Sequence, residues 1–316
     1  MAEPKVADAD LSDEERMQQT LKVYALDDPD KAAREQILAE IGELGLERHL
    51  GELDANGYTI VRGAIEPDQA IRARDAIVRV MERNLGRPVD IENETDEAWA
   101  GVNLAAYLLF EDEVFESILM APKPLALISY LLGRSCVLSS MTSHFKGPGA
   151  FPLVLHSDNG NGITAPFPAI AQVANANYAL TPYSEEAGAL AMVPGSNRLA
   201  RNPRPDEIML GGESGNPNAV PIDLQPGDCA VWHGSTWHGS FIRQVPGIRI
   251  NLAMYFCRQY IVTQEKYGEH VPQEVLDRHS NDPRFLTLLG QRQPYGWGAE
   301  GPDNDKVVQM PRGQFD

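Results

Sequence analysis

The second half of the chain alternates short apolar stretches with turn residues, and this rhythm constrains the fold more than any other feature of the sequence. The stretches recur roughly every ten positions, a spacing typical of β-sandwiches and β-barrels. They are CVLSSMTSHF, FPLVLH, QVANANYALT, GALAMV, CAVWHG and IRINLAMYFC. In Gln225-Pro226-Gly227-Asp228 the order of proline and glycine is that of a type II turn. The sequence therefore predicts a β core over 136–258.

Helical patterns lie on both sides of this predicted core. Before it, helices are predicted within 13–50, 66–86 and 105–133, and one short strand is predicted at 57–65. The helical pattern of 105–133 is broken around Pro122 and Pro124. After it, the chain is helical in pattern and then becomes rich in glycine and proline. The β core is therefore expected to be wrapped by helices from both ends of the chain.

The length of the chain favours a single domain. A chain of 316 residues is long for one core but short for two full domains. We predict a flexible N-terminal tail over 1–12 and one domain over 13–316. Within it, 13–135 contains helices and a strand, 136–258 the β core, and 259–316 a C-terminal helix and tail.

Charge and composition restrict the partners of the chain. The net charge of −18 repels phosphate backbones and anionic lipid, so neither nucleic acid nor a membrane surface is an expected partner. The N-terminus is acidic and lacks the pattern of a secretory signal, and the three cysteines are far apart and form no metal-binding pair. We expect a cytoplasmic protein with a small-molecule ligand, and its oligomeric state is open.

A candidate metal site is visible in His156 and Asp158. Residues two apart in a strand project to the same face, so both side chains can reach one ion. Either His233 or His238 can supply a third ligand. Two histidines with one carboxylate are the ligands of non-haem iron(II) oxygenases, whereas zinc more often takes three histidines or two with a glutamate. The alternative is a surface turn, because Asn-Gly repeats follow Asp158.

Arg249 is a candidate anion-binding residue. It lies in the apolar run IRINLAMYFC, where alternate residues face opposite sides of a predicted strand. A buried arginine requires a partner, and its planar guanidinium suits bidentate binding of a carboxylate. Considered alone, an ion pair with one of the 45 acidic residues is the simpler explanation.

The order and spacing of these motifs resemble the phytanoyl-CoA dioxygenase family of iron(II)/2-oxoglutarate oxygenases. The resemblance covers roughly 135–260 well and 57–86 more loosely. It rests on His156-x-Asp158, NYALTPYSEEAGALAMVPGSNR, Pro226-Gly227-Asp228, His238-Gly239-Ser240 and Arg249. It implies a mainly β fold with flanking helices around a double-stranded β-helix, the jelly-roll or cupin-like core. It also implies that the single domain is catalytic.

The resemblance implies a role for each of the matched residues. His156, Asp158 and His238 would bind iron(II), and His238 takes precedence over His233 because of its spacing from Arg249. Arg249 would bind the distal carboxylate of 2-oxoglutarate, and the Ser240 hydroxyl would add a hydrogen bond. O2 would be the oxidant, with succinate and CO2 as products of 2-oxoglutarate. The intact acid at position 158 favours hydroxylation or a related oxidation of a C–H bond.

Four further residues are candidates for contact with substrate. Asn177 stands where relatives often have an aromatic residue, and Trp237, Phe151 and Tyr255 lie near the motifs in sequence. Core packing is the alternative for the aromatic residues. The expected substrate is a small, fairly apolar metabolite. Two other functions compete with the oxygenase: a β-barrel zinc hydrolase or isomerase, and a non-catalytic binding protein on the same scaffold.

Overall fold

The computed structural model describes residues 12–24, 31–95, 103–149, 152–292, 297–298, 301–302 and 314–315. These residues form two main antiparallel β-sheets with helices around them, and one short two-stranded pair. The helices are α1 (Asp13–Tyr24), α2 (Lys31–Glu43), α3 (Glu47–Asn56), α4 (Pro67–Leu85), α5 (Glu113–Leu119), α6 (Pro122–Leu132), α7 (Gln273–Arg278) and α8 (Pro283–Leu288).

The larger sheet has six strands in the spatial order β1-β8-β5-β10-β3-β2. These strands are β1 (Tyr58–Val61), β2 (Asn103–Ala105), β3 (Val137–Phe145), β5 (Val173–Ala179), β8 (Cys229–His233) and β10 (Asn251–Cys257). The smaller sheet has the order β4-β9-β6-β7. Its strands are β4 (Leu153–His156), β6 (Leu190–Met192), β7 (Val220–Ile222) and β9 (His238–Ser240). A short pair, β11 (Trp297–Gly298) with β12 (Gly301–Pro302), lies near the C-terminus in sequence.

Alternation along β10 separates the main core from a cavity. Leu252, Met254 and Phe256 face the helices and belong to the largest hydrophobic cluster of the described residues, which also contains most of α6. Ala253 and Tyr255 face the smaller sheet and line the cavity between the two sheets. Because successive side chains of a strand point to opposite faces, one face of the larger sheet packs into the hydrophobic core and the other lines the cavity.

The predicted class, a mainly β fold with flanking helices around a jelly-roll core, is confirmed by this arrangement. The predicted helix at 66–86 corresponds to α4, which begins with a capping box between Glu66 and Gln69 and ends at Gly86 in the left-handed conformation. The predicted turn also forms, because Asp228 N donates to Gln225 O and Gly227 has φ +94°.

The helical pattern predicted for 105–133, with a break around Pro122 and Pro124, forms from residue 113 onward, but the start of the segment is different. This segment contains the last residue of β2, a 3-10 turn at Leu108–Phe110, and then α5 and α6 as separate helices. Asp112 caps α5, and Pro122 begins α6, so the helical pattern is interrupted where the prolines predicted a break.

Among the described residues, no single helix is long and apolar enough to cross a membrane. Only α5 and α6 taken together have the required length and composition, and they are bent by 54° relative to each other.

Candidate active site

Three side chains that can bind a metal meet on neighbouring strands of the smaller sheet. His156 ends β4, His238 begins β9, and the two residues are opposite each other in the antiparallel register. Asp158 follows at the start of a 3-10 turn. Its carboxylate oxygens lie 4.0 Å from His156 Nε2 and 3.6 Å from His238 Nε2. The ligand atoms of all three residues lie within 4.8 Å of one another, so they can hold one ion.

Backbone carbonyl groups orient both histidine rings. Nδ1 of His156 lies 2.9 Å from Val154 O, and Nδ1 of His238 lies 3.0 Å from Thr236 O. Because a carbonyl oxygen only accepts hydrogen bonds, each Nδ1 carries a proton, and in the neutral form of either ring the lone pair of Nε2 is available to a metal. Burial lowers the pKa of His238 to about 4, so this ring is neutral at neutral pH, as metal binding requires.

Asn175 orients the carboxylate of the metal site. It lies on the inner face of β5, and its Nδ2 donates to Asp158 Oδ2 at 2.7 Å. The ring of Trp232, on the adjacent strand β8, packs against His238 with 4.9 Å between ring centroids. Outer partners of this kind fix the direction of a ligand's lone pairs. The larger sheet therefore positions ligands that belong to the smaller sheet.

Asn175→Ala is expected to weaken the binding of iron(II) by about 10- to 100-fold, because the Asp158 carboxylate would lose the donor that fixes its orientation. Anaerobic titration against a competing chelator measures this affinity. The matched control is Asn218→Ala, which changes an exposed asparagine outside the cavity. Equal affinities for wild type and Asn175→Ala would show that Asp158 is oriented without this amide.

A cationic region lies at one end of the cavity. Arg249 is buried, its Nη1 donates to Gly188 O at 2.6 Å, and its guanidinium carbon lies 5.0 Å from the centre of the Tyr183 ring. Ser240 Oγ accepts a hydrogen bond from Lys146 Nζ at 2.8 Å. Among the described residues Arg249 has no acidic partner within ion-pair distance, so the simpler explanation of a structural ion pair does not hold there.

A cavity of about 410 Å³ connects the metal ligands to this cationic region. Both sheets contribute to its walls. The polar groups of its lining outside the three metal ligands are Ser140, Thr142, His144, Lys146, Asn175, Asn177, Tyr183, Trp232, Ser240, Arg249, Asn251, Tyr255 and Gln264. The cavity therefore offers a metal site at one position and an anion site at another within one continuous space.

The structure brings together most of the residues that the sequence suggested. Asn177 and Tyr255 line the cavity. Trp237 does not, and that expectation is corrected: it packs in a separate hydrophobic cluster, and its Nε1 donates to Arg201 O at 2.8 Å. Adjacent residues of a strand face opposite sides, so Trp237 points away from the side that His238 faces. Phe151 lies outside the described residues.

His233, the competing histidine, is a structural residue. Its Nδ1 accepts a hydrogen bond from Ser235 N at 3.0 Å, within the turn that joins β8 to β9. It lies outside the cavity between the sheets. Burial lowers the pKa of His233 to about 4, so the ring is neutral and serves the turn.

Sequence reasoning missed several polar residues of the cavity, among them Lys146, Asn175 and Gln264. The sequence contains a signal for Lys146 and Asn175. Asn175 and Asn177 alternate along an otherwise apolar strand, and Lys146 directly follows a strand of mostly buried residues. Gln264 lies in a connection outside the named strands, and no pattern in the sequence indicates its position at the cavity.

Known proteins are similar to this chain in sequence and in fold. Residues 53–250 match the sequence profile of the family described as Phytanoyl-CoA dioxygenase (PhyH). The multifunctional dioxygenase ausE of Aspergillus calidoustus is 26% identical over 277 residues, which cover 78% of this chain and 87% of that protein. The dioxygenase af480 of Aspergillus fumigatus is 31% identical over 190 residues, or 58% of this chain and 57% of that protein.

A solved structure shares the fold at lower sequence identity. HygX from Streptomyces hygroscopicus, with nickel, 2-oxoglutarate and hygromycin B bound, is 16% identical to this chain. The match covers 69% of this chain and 89% of HygX, with a TM-score of 0.55. At this identity the likeness concerns the arrangement of the sheets and helices.

Proposed function

The chain belongs to the phytanoyl-CoA dioxygenase family, and on this premise we propose that it is an iron(II)- and 2-oxoglutarate-dependent dioxygenase that oxidises a C–H bond of a small molecule. O2 is the oxidant, and 2-oxoglutarate is converted to succinate and CO2. Iron, when bound, supplies the redox chemistry that no amino-acid side chain provides. Hydroxylation is the outcome that we favour, because a carboxylate occupies position 158.

The arrangement of His156, Asp158 and His238 is the observation that carries the proposal. Each ring directs its Nε2, and the acid its oxygens, to one point, while each Nδ1 donates to a backbone carbonyl group. This donor set leaves coordination positions free for substrates, as iron(II) oxygenases require. A structural zinc site would need a fourth protein ligand, and among the described residues the cluster of possible ligands ends at these three.

Arg249 supports the assignment of the co-substrate. Its buried guanidinium has one nitrogen, Nε, without any hydrogen-bond partner. An unpaired donor of this kind is costly in a protein interior and is expected where a ligand supplies the acceptor. The distal carboxylate of 2-oxoglutarate matches the charge and the planar shape of the guanidinium. Arg249 would then orient the co-substrate with its oxo-acid end towards the metal ligands.

The cavity walls suggest the character of the substrate. Leu104 and Leu153 line the cavity and are 49% and 40% exposed, so the cavity opens beside them. Thr142 and Gln264 add hydrogen-bonding groups to the lining. We therefore expect a small metabolite with both apolar and hydrogen-bonding parts, less apolar than the sequence alone suggested. A cytoplasmic enzyme without nucleic-acid or membrane partners remains our prediction.

The proposal is tested by adding iron(II) and then 2-oxoglutarate to metal-free protein without oxygen. A visible charge-transfer band is expected when both are present, and succinate is expected to form after oxygen is admitted. Zinc-loaded protein is the matched control, because zinc has a filled d shell and produces no such band. A protein that binds iron(II) but shows neither band nor succinate is not this oxygenase, and the zinc hydrolase or isomerase would be tested next.

A further inference from the structure

Lys146 is a second buried cation at the end of the cavity that contains Arg249. It directly follows β3, and its backbone forms an antiparallel bridge with Arg249. Lys146 is 6% exposed and Arg249 is 5% exposed. Lysine is rarely buried so completely unless it is paired with an acid. Among the described residues, neither cation has a carboxylate within ion-pair distance.

Burial of two like charges side by side is unfavourable without an anion. Each ion loses hydration, and each raises the cost of the other's charge. Burial, and then the nearby Arg249, lower the pKa of Lys146 to about 7. The overall charge of the protein is −18, so acidic residues are abundant, yet none of those described approaches this pair. An anionic ligand explains why both cations line one cavity.

The hydrogen bonds of Lys146 determine the direction of the Ser240 hydroxyl. Nζ donates to Ser240 Oγ at 2.8 Å and lies 3.3 Å from Ser240 O. A protonated ammonium group only donates, so Ser240 Oγ accepts from it and keeps its own proton for another acceptor. The ammonium has three protons, so it retains capacity for a ligand. Ser240 and both cations therefore present donors to the same space.

We propose that Lys146 is a positioning residue of the co-substrate site: with Arg249 it binds the distal carboxylate of 2-oxoglutarate, it fixes the Ser240 hydroxyl as a donor, and it takes up a proton when the carboxylate binds in alkaline solution. This inference rests on the proposed function and assigns a role within the same site. It concerns binding, so its test does not require a known substrate.

The sign of the pH effect follows from the groups around Lys146. Arg249, which precedes β10, and Arg243, which follows β9, are both cationic. Ser240 and Tyr183 are neutral. His144 is also neutral, because burial lowers its pKa to about 4. Arg243 has a pKa lowered by burial to about 10, so it stays charged below that pH. Well below pH 7, Lys146 is already charged, so the affinity for 2-oxoglutarate does not change with pH. Above pH 7, Lys146 must take up a proton when 2-oxoglutarate binds, so the affinity falls as the pH rises.

The test is an anaerobic titration of 2-oxoglutarate into iron(II)-loaded protein at several pH values between about 7 and about 9. The charge-transfer band reports the Kd. For wild type the Kd is expected to rise by up to about tenfold per pH unit. Methionine is about the same size as lysine but uncharged. The Kd of Lys146→Met should therefore be about 10- to 100-fold higher than that of wild type at the lowest pH, and it should stay constant as the pH rises. Lys123→Met, an exposed lysine, is the matched control and should behave as wild type.

Lys146→Arg separates charge from geometry. Arginine keeps its proton throughout this range, so this variant should bind 2-oxoglutarate more tightly than Lys146→Met and without the dependence on pH. Equal Kd values and equal pH profiles for wild type and Lys146→Met would overturn the inference and leave the oxygenase intact. A Kd of wild type that does not change with pH would overturn the inference even if the variants fail to fold. Absence of any band in wild type would instead overturn the proposed function.

Discussion

His238→Ala is expected to eliminate specific binding of iron(II), whereas His233→Ala is expected to preserve it. His238 directs a neutral Nε2 at the same point as His156 and Asp158, and its removal leaves two ligands. The loss should exceed the roughly 10- to 100-fold that removal of an outer partner costs. Anaerobic titration with a chelator competitor gives both affinities. Without the metal, neither the charge-transfer band nor succinate formation is expected.

His233→Ala is a demanding control because both histidines are buried and lie five residues apart. His233 stabilises a turn by accepting from Ser235 N, so its loss should lower the free energy of unfolding by about 1–3 kcal/mol. Thermal unfolding measures this cost, and iron affinity at low temperature should be that of wild type. The reverse pattern, with His233→Ala losing the metal, would show that the assignment of the third ligand is wrong.

Arg249→Met is expected to raise the Kd for 2-oxoglutarate by on the order of 100-fold or more, because a buried charge that binds a carboxylate is removed. The anaerobic charge-transfer band measures this Kd at saturating iron(II). Binding of a 2-oxo acid that has no distal carboxylate should be equally weak in the variant and in wild type. The effect should therefore depend on the ligand, which a general loss of structure would not produce.

Arg243→Met is the matched control for this prediction. Arg243 is a buried cation close to Arg249, but its nitrogens donate to Ala187 O and Pro246 O, and it does not line the cavity. Its removal should weaken 2-oxoglutarate binding much less than Arg249→Met, through charge acting at a distance. If both variants lose affinity equally, the site responds to total charge and Arg249 is not the contact residue.

His156, Asp158 and Arg249 could be chosen as candidates from the sequence because their positions reflect strand geometry, whereas His238 was preferred to His233 through the family resemblance. His156 and Asp158 are two apart at the end of a strand, and Arg249 is on the face of its segment opposite to the apolar residues. The alternation in IRINLAMYFC is enough to assign the inner face of β10. Periodicity of this kind is local, so it can be read without knowing which strands become neighbours.

Other features of the site depend on pairings between distant segments. Asn175 reaches Asp158, 17 residues away, because β5 lies opposite the turn that carries the acid. Lys146 reaches Ser240, 94 residues away, across the two sheets. The tryptophan at the metal site is Trp232, whose ring packs on His238, and not Trp237, which points to the other side. Sequence proximity to a motif does not indicate the direction of a side chain.

By itself, the sequence predicted the β core and indicated His156, Asp158 and Arg249, because hydrophobic period and residue spacing encode strands and their faces. The resemblance to the family added His238 and the jelly-roll class. The tertiary structure shows that His238, and not His233, lies beside His156 and Asp158, that Trp232 lines the cavity, and that two buried cations lack an acidic partner among the described residues. The physical reason is that hydrogen bonds and charges act over a few ångströms in space. The chain brings such neighbours together only when the two sheets pack against each other.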